Sequence, residues 1–295
     1  MYPWSKGDKN SSLFSYYYMV ARGYIEALGK LHNKALWSLV LATVVGLAAF
    51  LYPFILPGIE QTTDDSAANA SAAPLLFAAV VVVVMVVTLM SLAEDAAGVS
   101  QSRTVALLGV LVAIDATLRL VPSMAGASPV FLLIMLVGAV FGPTFGFQMG
   151  ALTLLVSAFI TGGIGPWLPF QMLASGWVGM TAGFLPRHRS IGRRIVDLAI
   201  FGAIWGLVFG ALMNLYFWPF TAPGVDADSA LYWQPGLSLA ETVERYARFY
   251  AVTSLGFDLF RAVGNVVLVI LLGGPILKLL ERYRTRFTWQ PWQRA

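Results

Sequence analysis

Long apolar runs, separated by short polar or turn-forming segments, make up most of the chain. Eight of the runs approach the roughly 20 residues that an α-helix needs to cross a bilayer. They cover residues 35–56, 74–93, 104–121, 129–142, 144–161, 169–186, 195–217 and 250–278. This pattern predicts an all-α integral membrane protein with about eight transmembrane helices.

The composition restricts the chemistry available to the chain. Hydrophobic residues form 58% of the 295 residues and charged residues 12%, whereas soluble domains average roughly 25% charged residues. Cysteine is absent, which excludes disulfides, thiolate metal sites and thiol nucleophiles. His32 and His188 have no second ligand at metal spacing, and no phosphate-binding GxxxxGK(S/T) motif occurs. We therefore expect no enzymatic activity, metal or cofactor.

The distribution of charge predicts the orientation in the membrane. Most lysines and arginines lie in segments 1–34, 94–103, 187–194 and 278–295, which share one side if all eight runs span. The opposite loops carry Arg245 and Arg248 but are otherwise acidic, with Glu60, Asp64, Asp65, Asp226, Asp228, Glu241 and Glu244. Because cationic loops stay on the cytoplasmic side, we expect a multi-pass cell-membrane protein with both termini cytoplasmic. The net charge of +4 then reflects juxtamembrane side chains that meet anionic headgroups.

A change of composition near residue 100 divides the chain into two predicted parts. Residues 1–100 form a cytoplasmic tail and an accessory two-helix hairpin with few polar residues inside its spans. The first run is long and follows an extended segment, so we expect a retained span and not a secretory signal. Residues 101–295 are rich in glycine, proline and buried polar residues. We expect function there, in a six-helix core with a basic cytoplasmic C-terminus.

Polar side chains inside the predicted spans gather toward the extracellular half. Such side chains are costly in a bilayer and by default serve binding or helix association. With the depth of each run taken from its direction, the group comprises Asp115, Arg119, Gln171, Asn214, Asp258, Arg261 and Asn265. The last three follow i, i+3, i+7 spacing, which places them on one helix face. We expect a shared ligand pocket; the alternative is that Asp115 pairs with Arg119, and Asp258 with Arg261, for structural reasons alone.

The segment "ITGGIGPWLPFQMLASGWVGM", residues 160–180, interrupts the apolar pattern with glycine and proline around one tryptophan. On the predicted topology, "GGIGPWLP" is an extracellular loop. Glycine lets such a loop fold tightly and proline stiffens it, while Trp167 and Phe170 offer aromatic faces beside Gln171. We expect a lid over the pocket. The alternative is an aromatic anchor at the membrane interface.

Three segments carry a resemblance to a known family over about residues 104–285. They are "ALLGVLVAIDATLRLVP", "SPVFLLIMLVGAVFGPTFGFQMGALTLLVSAFITGGIGPWLPFQMLASGWVGMTAGFLP" and "RAVGNVVLVILLGGPILKLLER". The chain resembles the substrate-binding S components of energy-coupling factor (ECF) transporters, which are vitamin importers of the ATP-binding-cassette (ABC) class. The resemblance implies a six-helix core that captures a small molecule from outside under the loops at 122–128, 161–169 and 218–248. It also implies a transmembrane T component and two ATPases as partners.

The resemblance further implies a docking surface for the T component on the first core helix. The matching positions are Ala106, Gly109 and Ala113. Small residues at such spacing let helices approach closely in lipid, although they also serve ordinary packing within one chain. The two spans within residues 1–100 depart from the family pattern, so no role is transferred to them.

Two other function classes remain open at this stage. One is an ion- or proton-coupled secondary transporter that uses Asp115 and Asp258 as coupling groups. Such carriers often contain internal repeats, and the sequence shows no convincing repeat. The other is a membrane enzyme, which would require clustered catalytic histidines or acidic residues at the cytoplasmic face. An aromatic lid and mixed charges suit a planar, polar substrate such as a vitamin or its precursor.

Overall fold

The computed structural model describes residues 37–51, 54, 82, 86, 99–121, 128–188, 190–220, 231–234 and 236–287. The tail 1–34 and nearly all of the predicted run 74–93 lie outside these residues. Every regular element within the described ranges is helical. This confirms the prediction of an all-α protein.

Eight α-helices can be delimited within the described residues. They are α1 (Trp37–Leu51), α2 (Val99–Leu118), α3 (Val130–Phe141), α4 (Pro143–Thr161), α5 (Leu168–Ala182), α6 (Ile191–Phe217), α7 (Leu239–Thr253) and α8 (Leu255–Phe287). A short 3-10 turn, Trp218–Phe220, follows α6.

Helix α7 occupies part of the segment 218–248, where the apolar pattern predicts a loop. The pattern misses it because this helix is amphipathic and carries many charged residues. A capping box starts the helix: the Ser238 hydroxyl accepts from the Glu241 N–H, and the Glu241 carboxylate accepts from the Ser238 N–H. The predicted run 250–278 is correspondingly divided at Ser254, between α7 and α8.

Among the described residues, three helices are long and apolar enough to span a membrane: Pro143–Thr161, Ile191–Phe217 and Leu255–Thr285 of α8. Helices α1 and α3 are apolar but shorter. With 12 residues, α3 is about 18 Å long, well below a hydrocarbon thickness of about 30 Å. Because all its residues from Val130 to Val140 are buried, α3 forms the centre of the bundle.

A tight turn at Gly142 connects α3 to α4. Gly142 has φ 102°, in the region that favours glycine over residues with a Cβ atom. Pro143 follows as the first residue of α4, where its fixed φ suits a helix start and its missing N–H is not needed. The motif "FGPTFG" therefore reverses the chain within two residues.

Helices α4 and α5 pack with their backbones in contact. A Cβ atom on Gly146 or Gly150 would collide with the backbone of α5, and one on Gly179 would collide with the backbone of Gly146. Close approach of this kind supplies the van der Waals contact that drives helix association in lipid. It also fixes the relative positions of Ser157 on α4 and Gln171 on α5.

Helix α1, the first predicted span, packs against α5. The Phe50 ring lies 5.1 Å from the Phe170 ring and 5.8 Å from the Trp177 ring, measured between centroids. The Trp177 indole N–H donates to the Thr43 hydroxyl at 3.2 Å. Helix α1 is thus bound to the core by aromatic packing and a hydrogen bond.

Candidate binding site

Arg119, directly after the end of α2, joins three helices. Its guanidinium donates to the Ser157 hydroxyl on α4 at 2.8 Å and to the Gln171 side-chain oxygen on α5 at 3.4 Å. Neither acceptor is charged, so these contacts leave the positive charge of Arg119 uncompensated. The structure brings together Arg119 and Gln171, which the sequence predicted as site residues, and adds Ser157.

Asp115 is fully buried one helical turn before Arg119. Neither of its carboxylate oxygens has a hydrogen-bond partner in the described part of the chain. The structural pairing of Asp115 with Arg119 is therefore not observed, because Arg119 turns to Ser157 and Gln171 instead. A buried carboxylate without a partner costs several kcal/mol, so this position calls for a functional explanation.

Thr153 and Ser175, like Asp115, lie one helical turn below the residues that form the Arg119 contacts. In α2 and α4 the residues four positions before Arg119 and Ser157 are Asp115 and Thr153. Because α5 runs in the opposite direction, the residue one turn deeper than Gln171 is Ser175. Residues four apart share a helix face, so each of the three side chains lies one turn below an Arg119-layer residue of its own helix.

The deeper layer has free hydrogen-bonding capacity. Both hydroxyls are buried and, like the Asp115 carboxylate, have no hydrogen-bond partner among the described residues. The Thr153 side chain approaches that carboxylate without completing a hydrogen bond. Sequence reasoning did not select Ser157, Thr153 or Ser175, because single hydroxyls are common in membrane helices. The only signal in the sequence was the spacing of four between Thr153 and Ser157 and between Gln171 and Ser175.

A second polar cluster lies between α6 and α8. The Asp258 carboxylate and the Arg261 guanidinium are bonded to each other, as the structural alternative anticipated. Arg261 also donates to the Gly206 carbonyl at 3.2 Å, and its guanidinium lies 5.5 Å from the centre of the Phe209 ring. The pair is thus engaged with α6 as well as with itself.

Asn265 continues this face of α8 one turn deeper. Its amide donates to the Gly202 carbonyl at 2.9 Å. Glycine at 202, 206 and 210 of α6 makes room for these contacts, since a Cβ atom on Gly210 would collide with the Asp258 carboxylate. Asp258, Arg261 and Asn265 therefore share one face, as their spacing predicted, and this face packs on α6.

Buried acceptors remain in the second cluster as well. The second carboxylate oxygen of Asp258 and the side-chain oxygen of Asn265 have no hydrogen-bond partner within the described ranges. Both clusters therefore combine a guanidinium with unused oxygen acceptors. Such sets suit a ligand that carries both donors and acceptors.

Phe170 links the first cluster to α1 and α6. Its ring is buried between Phe50 and Tyr216, with the Tyr216 ring centroid at 4.1 Å and the two planes inclined by 30°. The residue after it in the chain is Gln171, so the aromatic group borders the Arg119 layer. Phe170 lies inside the helix bundle, below the surface of the loop.

Trp167 lies at the surface, immediately before α5. Its side chain is 45% exposed, and its indole N–H donates to the Gly163 carbonyl at 3.2 Å. The ring covers Gly165 so closely that a Cβ atom there would collide with it. Gly162, with φ 67°, ends α4 in the left-handed conformation. The loop is thus folded around the tryptophan ring.

Asn214 contacts the end of α7. Its amide donates to the Thr253 hydroxyl at 3.1 Å, which ties α6 to the end of α7. Sequence reasoning placed it in a shared pocket with Asp258 and Arg261. This hydrogen bond joins two helices, and a ligand-binding role for Asn214 stays a prediction.

The small residues on α2 lie on its open side. Ala106, Gly109 and Ala113 are exposed, and a Cβ atom on Gly109 would meet no heavy atom within 4 Å. Packing among the described residues therefore does not require glycine at this position.

Taken together, these features describe a helical membrane protein with buried polar clusters and no covalent chemistry assigned to them. The family model described as "ECF transporter, substrate-specific component" matches residues 103–273. This range is more than half of the chain, and the protein belongs to that family. The family consists of substrate-binding transporter subunits and not of enzymes, and membership implies a T component and ATPases as partners. Comparisons with curated proteins and with solved structures gave no significant match.

Proposed function

We propose that this subunit captures a vitamin or related small molecule from the extracellular side and delivers it to an ABC-type import complex. The observation that carries the proposal is the pair of stacked layers around Arg119 and Asp115. An arginine held only by neutral groups lies one helical turn above a buried carboxyl group with no described hydrogen-bond partner, so neither group satisfies the other. A ligand with an acceptor facing Arg119 and a donor facing Asp115 would satisfy both.

The remaining predicted site residues support this proposal in different ways. Phe170 supplies an aromatic wall beside the Arg119 layer, and Trp167 lies on the loop that would close above it. Asp258, Arg261 and Asn265 offer a second polar wall whose unused acceptors remain available. Asn214 holds α7 against α6, on the side from which a ligand would enter in the proposed orientation.

We expect Arg119→Gln to weaken ligand capture by about tenfold or more. The change removes a charge-assisted hydrogen bond, typically worth about 1.5–3 kcal/mol, while glutamine retains a polar side chain at the same position. The ligand would be the small molecule extracted from the purified wild-type protein and identified by mass spectrometry, and its affinity would be measured calorimetrically. Arg248→Gln, which removes an exposed ion pair with Glu244, serves as the charge-matched control. Equal affinities for both variants would remove Arg119 from the site.

Trp167→Ala should weaken capture by about fivefold with the protein still folded. The loss of one aromatic stacking face costs on the order of 1 kcal/mol. Trp37→Ala is a matched control because this tryptophan is also exposed, at 68% of its surface, and lies on α1. If both variants bind as the wild type does, Trp167 is an interfacial anchor.

The orientation proposed here places the loop that contains Ser190 in the cytoplasm. A cysteine at this exposed position provides a unique label, since the chain contains no other cysteine. We expect a membrane-impermeant maleimide to label Ser190→Cys in permeabilised cells and to leave it unlabelled in intact cells. Labelling in intact cells would show that the topology is the reverse of the proposed one, with the Arg119 layers in the cytoplasmic half of the membrane.

We propose that residues 1–100 stabilise the core through α1. The Phe50 and Thr43 contacts with α5 support this role because α5 also carries Phe170 and Gln171. The second candidate function is a secondary transporter, which the unpartnered carboxylate of Asp115 favours, since carriers use buried acids as coupling groups. The measurement at the end of the Discussion separates the two functions.

A further inference from the structure

Two arginines converge on the end of α3 that lies opposite the Arg119 layers. Arg187, between α5 and α6, donates to the Val140 carbonyl at 3.3 Å. Arg284 of α8 donates to the same oxygen at 3.1 Å. The carbonyl end of a helix carries a partial negative charge of about half an elementary charge. This compensates only a small part of the positive charge of two guanidinium groups.

The acidic side chains described at this end of the bundle are already engaged. Glu281 forms an ion pair with Arg194, and Asp197 lies 3.2 Å from the His188 ring nitrogen. Desolvation, together with the positive charges of Arg284 and Arg194, lowers the pKa of Arg187. Arg187 and Arg284 thus form an exposed pair of like charges that share one carbonyl acceptor.

An apolar groove begins within one helical turn of Arg284. It lies between α2 and α8, has a volume of about 460 Å³, and is lined by residues that include Val110, Ile114, Leu279 and Leu280. Arg103 is the cationic side chain in its wall. Leu280 is four residues before Arg284 and so shares its face of α8. A single ligand can therefore contact both the arginines and the groove.

We propose that Arg187 and Arg284, with Arg103, bind the phosphate of an anionic phospholipid whose acyl chain lies in the α2–α8 groove. The charge of the arginines selects the headgroup, since basic sites between membrane helices bind anionic lipids. The groove wall supplies apolar contact for the chain. Free phosphate shares the headgroup chemistry but has no group that fills the groove, so it binds weakly.

The test measures lipid retained by the purified full chain. Native mass spectrometry and thermal unfolding would be recorded in neutral detergent with phosphatidylglycerol, phosphatidylcholine or inorganic phosphate. We expect one phosphatidylglycerol to be retained and to raise the unfolding temperature more than the other two additives do. Equal effects of phosphatidylglycerol and phosphatidylcholine would overturn the anionic headgroup site. If inorganic phosphate raised the unfolding temperature as much as phosphatidylglycerol does, the ligand would be phosphate and not a lipid.

Charge variants locate the headgroup. The double substitution Arg187→Gln with Arg284→Gln should weaken phosphatidylglycerol binding roughly thirtyfold, since two basic contacts with the anionic lipid are lost. Arg193→Gln with Arg282→Gln removes the same charge from exposed positions nearby in the sequence, on α6 and α8, and should leave binding within about twofold of the wild type. Lysine at 187 and 284 should restore most of the binding even if the glutamine variant is unstable. An equal loss of phosphatidylglycerol binding in both glutamine pairs would show that the lipid is attracted by the overall positive charge, and it would overturn the site.

A further pair of variants locates the acyl chain. Val110→Trp fills the groove at a residue that is 57% exposed, whereas Val105→Trp changes a residue of α2 that is 52% exposed and does not line it. We expect Val110→Trp to reduce phosphatidylglycerol retention severalfold and Val105→Trp to leave it unchanged. Undiminished retention of phosphatidylglycerol by Val110→Trp would overturn the proposed position of the acyl chain.

Discussion

Gly179→Ala should leave little folded protein. The added methyl group would collide with the backbone of Gly146, while the carbonyl of Gly179 already occupies the space beside Gly138. Neither neighbour is a flexible side chain that could turn away, so α4 and α5 would have to separate. Overpacking usually costs 1–3 kcal/mol, occasionally more, and we expect a loss of about 3 kcal/mol or more at this backbone contact.

The control for this prediction is Gly109→Ala. The same methyl group would enter open space there, and alanine favours a helix over glycine by about 1 kcal/mol. The two variants would be compared by the yield of monodisperse protein in detergent and by the unfolding temperature. Equal stability of Gly179→Ala and the wild type would contradict the close packing of α4 and α5.

Gly109→Leu should separate capture from transport. A leucine there meets no neighbour in the described core, so ligand binding by the isolated subunit is expected to persist. If Ala106, Gly109 and Ala113 form the docking surface, the larger side chain holds the T component away and reduces ATP-driven uptake about tenfold or more. Affinity would be measured on the purified chain, and uptake in proteoliposomes with the T component and ATPases present.

Gly256→Leu is the control for the docking surface. Gly256 is exposed on α8 with open space around its Cβ position, and it lies near the extracellular end in the proposed orientation. Uptake should be retained in this variant. Normal uptake by Gly109→Leu would remove these small residues from the docking surface.

Much of the fold was predictable because the bilayer imposes a simple rule on sequence. A helix in lipid must be long and apolar, and runs such as 144–161 and 195–217 follow that rule. Helix α7 does not, because its charged face and its start at the Ser238 cap are those of an amphipathic helix at the end of the bundle. An apolar run therefore could not reveal it, whereas the Ser238 and Glu241 spacing could have.

Neighbours along one helix were predictable, but partners on other helices were not. Asp258, Arg261 and Asn265 fall on one face because helical spacing determines which residues are neighbours along a helix. Which helix that face meets depends on the glycines of α6, whose effect appears only after packing. For the same reason the sequence could not decide between an Asp115–Arg119 pair and the observed Arg119 contacts with Ser157 and Gln171.

The central claim is that this chain captures a ligand and relies on partners to move it. The most direct measurement uses the ligand identified from the purified protein, radiolabelled, with proteoliposomes that contain the chain alone or with the T component and ATPases. We predict at most one bound ligand per chain for the subunit alone, under proton or sodium gradients of either direction, and ATP-dependent accumulation with the partners. Gradient-driven accumulation by the chain alone would contradict the account and identify a secondary transporter.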